Sequence, residues 1–78
     1  MSEYRLDIPG DINLSDYSSI HDYMGLIERN DKFIITSKMK NPEEMKILCE
    51  MLENNCFKVV SHGDKGNGEY YITSQKER

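Results

Sequence analysis

The chain has 78 residues, 37% hydrophobic and 31% charged, with a formal net charge of −4 at pH 7. That length fits a single domain, residues 1–78, with one thin core, because so short a chain buries little more than ~60% of the surface its unfolded form exposes. The acidic balance gives no general attraction for nucleic acid or an anionic membrane, and no apolar run approaches the ~20 residues that span a bilayer, so neither is an expected partner.

The opening MSEYRLDI places Glu3 and Arg5 where a secretory leader needs a basic stretch followed by an apolar one. A cytoplasmic protein is therefore expected, with Cys49 and Cys56 reduced rather than bridged.

Tyr4, Leu6 and Ile8 alternate with Arg5 and Asp7, the pattern of a half-buried strand over residues 3–8, which Pro9-Gly10 ends. From Ser15 or Asp16 the period becomes helical: Tyr17, Ile20, Met24 and Ile27 recur at steps of three and four, beside Tyr23. Ser15 or Asp16 can cap this helix, and Gly25 weakens its interior. Glu28-Arg29-Asn30-Asp31 reads as a polar exit.

KFIITSK, residues 32–38, is the second strand. Its run Phe33-Ile34-Ile35 is apolar on both faces, as a central strand requires. Residues 41–55 form the second helix, with Asn41 as cap, Pro42 at the first position, Glu43 and Glu44 in the first turn, and Met45, Leu48, Cys49 and Leu52 as the buried stripe. CFKVVSH, residues 56–62, and EYYITS, residues 69–74, read as a hairpin around a GDKGNG turn, and QKER as a frayed end. Right-handed crossovers put both helices of this β-α-β-α-β-β order on one face of a mixed four-stranded sheet. The expected fold is thus α+β, a two-layer sandwich.

Few residues invite chemistry. Cys49 falls on the buried stripe and reads as core packing. Cys56, at a helix-to-strand junction, is the more accessible thiol, or else a strand-start residue packed on the helix. With His21 and His62 the two cysteines suggest zinc, but their spacing fits no ligand pattern, so no metal is expected. GDKGNG lacks the following helix that a phosphate loop needs. Glu50 and Glu53 read as a solvated face.

The element order and the stretch LDIPGDINLSD resemble the TusA family of small sulfur carriers. That family opens on a strand carrying LDxxGxxCPxP, with the cysteine where the first helix begins. Leu6, Asp7 and Gly10 match at the same spacing. The strand at Phe33-Ile34-Ile35 falls in place without a gap, Asn41-Pro42 loosely echoes a D-x-P-like segment, Cys49 occupies a helix where some members also carry a cysteine, and GNGEYYITSQK looks like the closing strand. The departure lies at the reactive corner, where Asn13 stands for the cysteine, Leu14 and Asp16 for the two prolines, and Ser15 lies between. In the family a helix N-terminus favours the thiolate, which carries sulfur as a persulfide. Asparagine cannot do this, and Ser15 has no histidine near it in sequence to activate it.

The resemblance therefore implies a TusA-like fold without the carrier thiol: a protein-binding or regulatory module needing no cofactor. Its partner would be another protein, with sulfur metabolism the source that the family suggests, met through the first helix's N-terminus or the outer sheet face. Asn13 then serves as a turn or cap residue, or else the exposed N–H groups beside it bind an anion or a partner's acidic group. Whether the chain is an enzyme stays open, because Cys56 or Cys49 could serve as a displaced thiol. Residues 41–74, a helix and then a hairpin, are compatible with a winged-helix regulator as well, and similar layers occur in RNA-contacting domains.

Overall fold

The computed structural model of the chain describes residues 2–10, 12–38 and 42–77. Its elements are β1 (Glu3–Ile8), α1 (Leu14–Leu26), β2 (Lys32–Ser37), α2 (Pro42–Asn54), β3 (Phe57–Gly66) and β4 (Glu69–Lys76). They form one sheet in the order β1-β2-β4-β3. β1 and β2 are parallel, with Glu3 opposite Lys32 and Ile8 opposite Ser37. β4 is antiparallel to both β2 and β3.

The strand alternation sorts side chains onto two faces. Phe33 and Ile35 of β2 share a face with Ile72 and Ser74 of β4. Ile20, Met24 and Ile27 at the end of α1, with Leu48 and Leu52 of α2, join these sheet residues in a single buried cluster. Both helices therefore cover one side of the sheet, and the fold is the expected α+β sandwich. Aromatic contacts knit the layers together. Tyr23 stacks on Phe33 with ring centroids 5.7 Å apart, and Phe33 meets Phe57 at 6.1 Å. Ser74 is buried with its hydroxyl donating to the Phe33 carbonyl at 3.0 Å, so it adds no unpaired polar group to the core.

Several boundaries differ from those expected. β3 runs on through Gly66, so most of GDKGNG is strand and only Asn67-Gly68 turns. Both have positive φ, 56° and 76°, the geometry of a two-residue type I′ hairpin, which an Asn-Gly pair adopts at little cost. His62 consequently lies within β3, not at its end. β4 extends to Lys76 and is not frayed at Gln75 and Lys76. Their partners lie far back in the chain: Gln75 Nε2 donates to the Asn30 carbonyl, and the Lys76 N–H to that of Asp31. Asp31, expected in a polar exit, is only 7% exposed. Its carboxylate accepts from the Ser2 N–H at 2.8 Å and the Glu28 N–H at 3.1 Å. The expected cap of α2, Asn41, lies outside the described residues.

Candidate functional site

β1, β2 and β3 run the same way, so their carboxyl ends share one end of the molecule with the N-terminus of α1. In open α/β sheets ligands favour this end. Here the turn after β1 is pinned to the end of β2, because the buried Ser37 hydroxyl donates to the Gly10 carbonyl at 3.1 Å. Asp7 lies on the open sheet face and accepts a hydrogen bond from the Thr36 hydroxyl on the neighbouring strand.

Asn13, not Ser15 or Asp16, is the residue that caps α1. Its side-chain oxygen accepts from the Asp16 N–H at 3.0 Å, and the Asp16 carboxylate accepts from the Asn13 N–H at 3.0 Å. This reciprocal capping box satisfies two of the donors that a helix start leaves open. The Tyr17 N–H already bonds to the Asn13 carbonyl, the first turn of the helix proper. Asp16 also places a carboxylate at the positive end of the helix dipole. The corner is thus a capped helix start that already carries a carboxylate. Leu14 projects from it 85% exposed, and Ser15 is exposed beside it with no activating base among its hydrogen bonds.

The two thiols are free and separate in role. Cys49 is half-buried, and burial, assisted by the Glu53 carboxylate, pushes its thiol above the ordinary range, away from the reactive thiolate. It lines an apolar groove of about 490 Å³ between α2 and the β3–β4 hairpin, with Met45, His62 and Tyr70 among its neighbours. His62 reaches that side because a bulge after Val59 shifts the register and sets His62 opposite Ile72. Cys56 is exposed. It ends α2 in the left-handed region, φ 68°, a conformation that glycine usually takes at this place. The shallow depression beside it is lined by Glu53, Phe57 and Glu77, which offer no cation to stabilise a thiolate.

Among the described residues no three His, Cys, Asp or Glu side chains gather as a metal site. His21 is exposed on α1, on a different element from His62. Glu44, expected at the dipole of α2, has one buried carboxylate oxygen without a hydrogen-bond partner, and its charge adds to the burial that raises the Tyr17 hydroxyl's pKa. Among the described residues no helix is long and apolar enough to cross a membrane.

Two features escaped the sequence. One is the Cys49–His62 groove. The other is a polar depression of about 440 Å³ on the uncovered face, lined by Arg5, Asp7, Thr36, Lys38, Lys65 and Glu69 among others. Neither is visible in residue spacing, since each draws on elements far apart in the chain. No protein-family model, curated protein or solved structure matches the chain.

Proposed function

We propose that the chain is a small cytoplasmic protein-binding module, built like the TusA sulfur carriers but lacking their means of carrying sulfur. The observation that carries this is the capping box. At the position where the resemblance calls for a nucleophile, Asn13 and Asp16 spend their side chains on closing the helix start. The likeness in build is supported by the parallel β1–β2 pairing, the Gly10 turn leading into α1, and the closing strand at residues 69–76. The contact surface would be this same end of the molecule. Leu14 contributes nothing to the core there and offers an apolar contact beside the polar sheet face.

The test is to incubate the protein with a cysteine desulfurase and its substrate, then weigh it intact. No gain of a sulfur atom is expected. A stable gain mapped to Cys56 or Cys49 would overturn the non-carrier reading. Cys56 is the better of the two displaced thiols, because it is exposed while Cys49 is held protonated by burial. A winged-helix regulator has less support. α2 is flanked in the chain by β2 and β3, so no neighbouring helix completes a helix-turn-helix.

A further inference from the structure

We propose that the depression between Arg5, Lys38 and Lys65 on the uncovered sheet face receives an acidic segment of a partner protein. This rests on the protein-binding role above and names the chemistry of the partner.

The three cations come from three places in the chain: β1, the residue after β2, and the far part of β3. The topology brings them around one depression, whose floor includes Asp7 and Thr36. Asp7 already accepts the Thr36 hydroxyl, and Glu69 is the other carboxylate at the rim. Positive charge therefore exceeds negative here, in a protein whose net charge is −4. No ion pair or hydrogen bond to the described residues holds the side chain of Arg5, Lys38 or Lys65. Lys32 and Lys58 extend the same face along β2 and β3, in register with Gln75 of β4.

The covered side has the opposite character. α1 carries Asp16 and Asp22, and α2 carries Glu43, Glu44, Glu50 and Glu53, against Lys46 alone. Among the described residues charge is thus segregated across the sandwich, and the open sheet face is the side complementary to an anion. The depression is open and shallow, so it cannot enclose a small ligand as a dedicated pocket does. An extended partner suits it better. Nucleic acid is disfavoured because no aromatic side chain among the described residues lines the depression, so a base would find no stacking platform in it.

The experiment is fluorescence anisotropy of the full chain with a labelled short oligoglutamate peptide at low ionic strength. Because the whole protein is acidic, indiscriminate attraction cannot produce a signal. Saturable binding is expected, weakened about tenfold or more by the triple variant R5E/K38E/K65E and by added salt, and unchanged by K46E on α2. Lys38→Glu alone, just beyond the strand end, should lose a measurable part without risk to the fold. Absence of saturable binding, or an equal loss with K46E, would overturn the proposal. So would tighter binding of an oligouridylate of the same charge, which would assign the face to nucleic acid. Sulfur uptake in the desulfurase assay would instead remove the non-carrier role, whatever the peptide does. A peptide that fails to bind a protein that takes up no sulfur removes this proposal alone.

Discussion

The ammonium of Lys76 closes the C-terminal end of α1 by donating to the Ile27 carbonyl at 2.8 Å. It donates also to the Met24 carbonyl at 3.0 Å and sits 5.7 Å from the centre of the Phe57 ring. The last turn of α1 has no basic residue of its own, so a strand 49 residues further along supplies the charge that the helix end favours. Lys76→Met keeps the aliphatic stem and removes both hydrogen bonds. It should cost about 1.5–3 kcal/mol, the range for hydrogen bonds to a charged group, measured as a lower urea midpoint with an unchanged slope.

Asp31 ties the N-terminus and the α1–β2 turn together through its two carboxylate oxygens. Asp31→Ala leaves the Ser2 and Glu28 N–H groups without their acceptors and should destabilise by about 2–3 kcal/mol. Asp31→Asn retains one acceptor and should fall between it and the wild type in the same urea titration.

How much of this was legible in the sequence depends on the distance between partners. Tyr4, Leu6 and Ile8 announced β1 by alternation, and Ile20, Met24 and Ile27 announced the buried side of α1, because those signals are local. Asn13 was recognisable as a turn or cap residue, although the helix starts earlier than its period suggested. Asp31, Gln75 and Lys76 were misjudged because a polar residue beside a turn looks solvated until its distant partner is known. GDKGNG hid the end of β3 because an edge strand exposed on both faces needs no apolar alternation. The trio Arg5, Lys38 and Lys65 had no sequence signature at all, since only the strand order brings them together.

Gly25 lies within α1, exposed, and an added Cβ would meet nothing within 4 Å. Gly25→Ala should therefore stabilise the protein by about 0.5–1 kcal/mol, through the lower conformational freedom of the unfolded chain and the better helix propensity of alanine. A higher melting temperature with an unchanged circular dichroism spectrum would register it. A lower one would place Gly25 in a contact that the structure does not contain.

The two thiols should react at different rates. Exposed Cys56 should alkylate first, and Cys49, half-buried with its thiol raised in pKa, should follow slowly at neutral pH. Site-resolved mass spectrometry over time separates them. Burial also raises the pKa of the Tyr17 hydroxyl, and Glu44 adds to it. In both groups the folded state holds its proton more tightly than the unfolded chain. Their contribution to stability is full below the ordinary values of 9.0 and 10.0 and is lost as pH rises through them toward the folded values. The urea midpoint should fall on the alkaline side, and Tyr17→Phe with Cys49→Ala should flatten that fall.

At the closed helix start, Asn13→Ala should cost about 1 kcal/mol, the usual value of an N-cap side chain. Asn13→Cys would place a thiol at the position of the TusA cysteine, but next to the Asp16 carboxylate. It should alkylate more slowly at neutral pH than the double variant Asn13→Cys/Asp16→Ala, because removing that charge favours the thiolate. Equal rates would show that Asp16 has no influence there.

The reversal at Asn67-Gly68 also bears on the order of assembly. It joins strands adjacent in sequence, so β3 and β4 can zip together by closing a very small loop. β1 reaches β2 only after the whole of α1 has been laid down between them, a longer and entropically dearer closure. The β1–β2 pairing should therefore form later than the β3–β4 hairpin. β1 and β3 both sit at a sheet margin with a single neighbour, and β1, with the dearer closure, should be the first of the two to trade amide hydrogen for deuterium.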